Sequence, residues 1–286
     1  MNIIGECNIS SILKPYFNDF VITYLEPYYL EGVQNVQPEN EIEERALTYF
    51  VKTCSCIKSI NTLFSTGDIV SARILMRSLF ELIILFKKII SDKEEYVRYS
   101  KAYEKFKQME VNKINQTQID AGVPEIFFSK AEIENNIERL KNEILELGFT
   151  PTWNKKTGKP IVDKYFEIKE MAISVDMEYE YNTTYKNLCL DTHTSSSHFY
   201  KYLFKDSDGR KILNLHPYLH ELDLMISMVC SILMDFFDCT DELLGINKNC
   251  VANNQFQKLL RRSFNIMPVL IEQGQRKKNG FTPPSP

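Results

Sequence analysis

The sequence predicts an all-α protein: a single helical bundle of seven or eight helices with charged helical hairpin arms. Three observations predict it. Apolar residues recur at i, i+3 and i+4 through most of the chain. Capping residues and glycines fall between the apolar runs, where helices start and stop. No segment alternates apolar and polar residues in the manner of a half-buried strand. Hydrophobic residues at 44%, charged residues at 25% and only 10 Gly and 11 Pro exclude a disordered chain, a collagen-like fibre and a small disulfide scaffold.

Residues 10–30 hold aromatic and aliphatic side chains at mixed spacing, punctuated by Pro15 and Pro27. They predict a short, irregular helix. After Pro38 the acids Glu39, Glu41, Glu43 and Glu44 sit where a helix N-terminus favours negative charge. Ala46, Phe50, Cys54, Ile57 and Phe64 continue that helix to Gly67, and Asp68 caps the next. The helix over about 69–90 is apolar nearly all round, the mark of a central helix. Residues 93–115 are strongly charged and read as a long solvated helix. Ser129 and Glu132 form a capping box that opens a helix to Leu147, with Gly148 at its C-terminal cap. A loop with Pro151, Trp153, Gly158 and Pro160 follows, then short helices over 162–174 and 179–190. Residues 191–197 read as a helix end or turn, and Asp206, Asp208 and Gly209 mark another loop. Pro217 stands at the first position of a long apolar helix. One more helix covers 254–272, and residues 273–286 are basic, then proline-rich, a composition that favours disorder. The organisation reads as N-terminal helices over 1–66 packing on the core, a helical domain over 67–245, and a C-terminal helix and tail over 246–286, with no clear linker.

The charge of −4 and pI of about 5.7 give no global basic field, so any nucleic-acid contact must use a local patch. Seven scattered cysteines, an odd number, read as reduced thiols. The first residues carry Glu6 and lack the basic and apolar regions of a signal peptide, and no run of ~18 apolar residues could span a bilayer. A cytoplasmic protein that uses no membrane is expected. No G-x-G, P-loop or G-x-S-x-G is present. Cys54 and Cys56 lie mid-helix without a second cysteine pair and read as small core residues.

Two groups of residues could carry chemistry. His193, His198, His216 and His220 crowd into one stretch beside Asp191 and Glu221. His216 precedes Pro217 and sits at a cap rather than inside a helix, and no H-E-x-x-H completes a metal set, so neither metal nor other cofactor is expected. Arg73, Arg77 and Glu81, spaced by four, form one polar stripe on the central apolar helix. A buried charge is expensive unless paired or used, which makes the stripe a candidate site.

Arg77-Ser78-Leu79-Phe80-Glu81 resembles the signature helix of a bacterial helical family, domain of unknown function 5677. The order continues with Trp153, Met171-Ala172, Tyr181 and Tyr185, and Leu188 to Ser195 with His193 inside it. Cys189 stands where that family usually has serine. The resemblance spans about residues 69–237. That family is in turn similar to the HEPN group of helical nucleotide-binding and ribonuclease domains, many of which serve phage defence or toxin–antitoxin modules. The resemblance implies a HEPN-like core and metal-independent RNA cleavage, with His193 as general base. Asn187 stands near the position of the motif arginine and cannot neutralise a phosphate, so Arg77 would supply the cation, with Glu81 beside it. Arg210 and His216 match the R-x4–6-H motif strictly and form an alternative pair.

The reaction asks little of the protein, because RNA brings its own 2′-hydroxyl nucleophile. Arg73, Lys155, Lys156, Tyr200 and Lys201 are candidates for holding RNA, with Lys159, Arg210 and Tyr202 near them. The competing expectation is a non-catalytic sensor or partner-binding module, in which Arg77, Glu81 and His193 form a structural polar network. Either way, the Arg77 helix should pack against the helix ending near His193. Leu224, Met228 and Phe237 lie off the main stripe of their helix and suggest a homodimer seam. A regulatory or antitoxin protein is the other expected partner.

Overall fold

The computed structural model describes residues 2–4, 11–125, 128–149, 152–153, 160–161, 167–189, 202–205, 209–214, 221–246 and 254–265. Two compact units divide the chain: residues 1–86 with 179–286, and residues 87–178. Long-range packing builds the first unit from both halves of the chain, with Phe20 against Phe237 and Phe256.

The first unit opens with α1 (Lys14–Phe20), a π-helical turn (Val21–Leu25) and α2 (Glu26–Asn35) in continuous succession. Pro15 lies in the first turn of α1, and Pro27 in the first turn of α2. A proline inside a helix clashes with the carbonyl one turn back. The π-turn, in which the Glu26 amide reaches back to the Val21 carbonyl, relieves that clash and keeps the helix going. Punctuation in the sequence thus became a widened turn rather than a break. The N-terminus of α1 is capped from afar: the Asp223 carboxylate accepts from Ser11 Oγ (2.5 Å) and the Leu13 amide (2.9 Å).

Next comes α3 (Glu41–Thr66), where Asn40 Oδ1 accepts from the Ile42 and Glu43 amides and the first turn carries three acids. It ends at Gly67, whose φ of 77° is the left-handed cap that favours glycine. Asp68 then accepts from the Ser71 amide and starts α4 (Ile69–Ser91). Gly32 of α2 is needed for a close approach: a Cβ there would lie 2.6 Å from the Phe50 ring.

The second unit holds α5 (Lys93–Asp120), α6 (Lys130–Glu146) and α7 (Ile168–Ser174). Helices α5 and α6 run antiparallel, linked by Lys105 to Glu143 near one end and Gln116 to Glu134 near the other. Ser129 and Glu132 form the expected capping box. This is the charged hairpin.

Back in the first unit, α8 (Glu178–Glu180, mostly in this unit), a second π-turn (Tyr181–Tyr185) and α9 (Lys186–Cys189) succeed one another. They precede α10 (Leu222–Leu244) and α11 (254–265). Aromatic rings weld these helices together. Phe50 of α3 stacks on Phe236 of α10 at 5.8 Å. Phe256 of α11 meets Phe20 at 5.1 Å and Phe237 at 5.3 Å. The Tyr28 hydroxyl pairs with Thr240 at 2.8 Å, so its polar tip is satisfied inside the core.

The molecule is helical, as expected, with small strands added. β1 (Asn2–Ile4) pairs in parallel with β5 (Lys211–Asn214), which pairs antiparallel with β4 (Leu203–Lys205); β2 (Thr152–Trp153) pairs with β3 (Pro160–Ile161). Each is two to four residues, too short for an alternating pattern to register. Gly209, two residues before β5, takes φ of 75°. Phe237, expected on a dimer seam, is only 1% exposed and packs inside the chain against Phe20, Tyr28 and Phe256. The apolar surplus that suggested the seam is therefore smaller than the sequence implied. Cys54 and Cys230 are buried thiols, and burial holds both well above the usual thiol range. Among the described residues no helix is long and apolar enough to cross a membrane.

Candidate polar site on the central helix

Helix α4 presents Arg73, Arg77 and Glu81 on successive turns of one face. Opposite them lie the π-turn with α9, and the start of α10. Two linked arrangements result, and they differ in burial.

Arg73 is 5% exposed. Its Nη1 lies 3.3 Å from Glu221 Oε2 and 3.6 Å from Met225 Sδ. Its Nη2 donates to the Asn187 carbonyl at 2.9 Å. Arg73 therefore ties α9 and α10 to α4, through the Asn187 carbonyl on one side and Glu221 on the other. The expectation that Arg73 faces RNA is corrected: the guanidinium is enclosed by protein.

Arg77 and Glu81 are about a third exposed along their side chains, and their closest pair is Nε to Oε1 at 3.1 Å. Tyr185 completes the group. Its hydroxyl donates to Glu81 Oε1 at 2.7 Å and accepts from Arg77 Nε at 3.1 Å. The guanidinium carbon lies 5.4 Å from the Tyr185 ring centre, and the ring itself packs on Phe80 at 5.5 Å and Tyr181 at 5.0 Å. Burial, with the Glu81 carboxylate as the next cause, holds the Tyr185 phenol well above its ordinary range. Burial works against the Arg77 charge, but the Tyr185 hydrogen bond and the negative groups near it prevail, and its pKa is raised. At neutral pH the trio is thus an arginine cation, a tyrosine that keeps its proton and a carboxylate already accepting two hydrogen bonds. It offers a positioned cation.

The expected packing of the Arg77 helix against the helix ahead of His193 is present as far as Cys189. His193, His198, His216 and His220 lie outside the described residues, as do Lys155, Lys156, Lys159, Tyr200 and Lys201. The Asn187 side chain donates to the Thr183 carbonyl of its own helix at 2.6 Å, so only its backbone joins the site. Arg210 is exposed next to β5, remote in sequence from the stripe, and its companion His216 is not described. Among the described residues no group of three His, Cys, Asp or Glu stands together as a metal site would require.

Reasoning from sequence missed Tyr185 and Glu221 as members of the site. Tyr185 had a signal: it follows Tyr181 by four, on the face that meets α4. Glu221 had almost none, being a single acid before an apolar helix.

A model described as a family of unknown function, DUF5677, matches residues 43–210. That is more than half of the chain, and the chain belongs to this family. The match includes Arg73, Arg77, Glu81, Tyr185 and Asn187 and stops before Glu221. No curated protein and no solved structure matches the chain.

Proposed function

We propose that this member of the family is a metal-independent RNA endonuclease with a HEPN-like core, acting in the cytoplasm as the effector of a phage-defence or toxin–antitoxin system. His193 is the general base and Arg77 the cation on the scissile phosphate. The observation that carries the reading is Arg77: a guanidinium one-third exposed, steered by Tyr185 and Glu81, facing the helix whose chain reaches His193 four residues after Cys189. The trio supplies a positioned cation, and a histidine, whose unperturbed pKa is ~6.5, supplies a base. Together they are what cleavage through the substrate's own 2′-hydroxyl needs. A homodimer and a regulatory or antitoxin partner belong to the same proposal, and Arg210 with His216 remains its alternative pair.

The test is incubation of purified protein, chelated free of divalent metal, with single-stranded RNA and with DNA of the same sequence. RNA should be cut and DNA spared, and His193→Ala should lower the rate by ~10²–10⁴-fold at unchanged thermal stability. If His216→Ala alone abolishes cleavage, the site moves to Arg210 and His216.

One observation favours a second reading. Glu221 compensates Arg73, and Glu81 compensates Arg77, as in a polar network that only orders a core. Under that reading the protein is a sensor or partner-binding module. Folded, activated protein that leaves RNA uncut establishes it, and cutting that survives the loss of both His193 and His216 removes those residues from the site.

A further inference from the structure

Past Glu242 the charge of the chain inverts. Seven basic residues follow (Lys248, Lys258, Arg261, Arg262, Arg276, Lys277, Lys278) against one acid, Glu272, in a protein whose total charge is −4. Three of the seven fall on α11, and the helix sorts them sharply. Phe256, Leu259, Leu260 and Ser263 are buried, while Asn254, Lys258, Arg261, Arg262, Phe264 and Asn265 are exposed. Steps of three and four residues place Lys258, Arg261 and Arg262 on one stripe. Phe264, 64% exposed, stands at its edge three residues from Arg261. Among the described residues, Arg262 lies 5.4 Å from the Tyr16 ring, and none of the three cations forms an ion pair.

From this we infer that the outer face of α11 is a docking surface for single-stranded nucleic acid. The phosphate backbone runs along Lys258, Arg261 and Arg262, and one base stacks on Phe264. Positive charge aligned along a helix is the complement of a polyphosphate chain, and an exposed ring among cations is how proteins hold unpaired bases. An anionic lipid surface fits less well. A helix lying on a bilayer buries its apolar face in lipid, whereas here that face is committed to Phe20 and Phe237. None of its residues has a part in the proposed cleavage, so it stands or falls independently of that reading.

The experiment uses the full chain carrying His193→Ala, so that no probe is consumed, and a fluorescent 12-nucleotide RNA and its DNA equivalent. Anisotropy titrations at 50 and 200 mM salt read the affinity. The parent should bind, and raising the salt should weaken it. Lys258→Glu with Arg261→Glu should weaken binding by at least about 10-fold and flatten the salt dependence, since each phosphate contact adds about 0.7 to the logarithmic slope for single strands. Phe264→Ala should weaken binding by about 10-fold with little change in that slope. Arg262 is left alone because it holds Tyr16. Preference for RNA over DNA would show that the surface reads the 2′-hydroxyl, and equal binding that it reads phosphate and base, both within the inference. It is overturned if the parent binds neither oligonucleotide, if it binds only phosphatidylserine vesicles, or if the charge-reversed protein, with unchanged circular dichroism, binds as the parent does.

Discussion

The polar groups of α4 and those of the α5–α6 hairpin are both ion-pair networks, and they teach different things about charge in a helical protein. On the hairpin, Lys105 and Arg139 converge on Glu143, Lys130 meets Asp120, and Arg98 meets Glu95. These pairs sit at the surface, water screens them, and their partners are near neighbours on one helix or its antiparallel mate. On α4 the partners are remote in sequence: Arg73 reaches Asn187 and Glu221, and Arg77 reaches Tyr185. There each bond closes a long loop and fixes one helix against another. The hairpin wears its charge, whereas α4 is assembled by it.

That contrast can be broken or sharpened by mutation. The largest expected effect is at Arg73, where Arg73→Met leaves Glu221 without its cation and the Asn187 carbonyl without its donor. Removing one partner of a buried pair should cost about 3 kcal/mol, read from urea unfolding followed by circular dichroism. A loss no larger than that of a surface substitution would erase the distinction between the two regions. Tyr185→Phe comes next. It removes a hydroxyl bonded to two charged groups and should cost about 1.5 kcal/mol. The same residue gives a pH signature. A phenol held above its ordinary range in the folded state keeps its proton while the unfolded chain loses it. Stability should therefore fall as pH rises past about 10, and fall less in Tyr185→Phe. Equal slopes for the two proteins between pH 9 and 11 would contradict the network. Smallest of all is Arg139→Ala on the hairpin, which should leave the unfolding midpoint unchanged within error. Glu143 is held below the usual carboxylate range by Lys105 first and Arg139 second, so one cation remains.

Local signals made most helices legible. Asn40, Asp68, Asp92 and Ser129 each accept from a backbone amide at a helix start, and Gly67 and Gly245 take the left-handed caps. What the sequence hid was non-local. Pro27 read as punctuation in an irregular helix, because nothing in the neighbouring residues announces a π-turn. Phe237 read as surplus because its partners Phe20 and Phe256 come from the two ends of the chain. The stripe Arg73, Arg77, Glu81 was visible as three polar positions on an apolar helix. Its division into a buried anchor and a half-exposed cation was not, since that depends on where Glu221 and Tyr185 arrive. A resemblance in motif order pointed to the right family, but it could not say which arginine the fold would enclose.

In the proposed function Arg73 builds the site while Arg77 acts in it. That division is tested by metal-free RNA cleavage with Arg77→Gln, unfolding being measured on the same preparation. The variant should be nearly as stable as the parent, with a cleavage rate lower by roughly 10²–10³-fold, the scale of losing one positioned charge at a transition state. Cleavage at the parental rate by stable Arg77→Gln protein would contradict it.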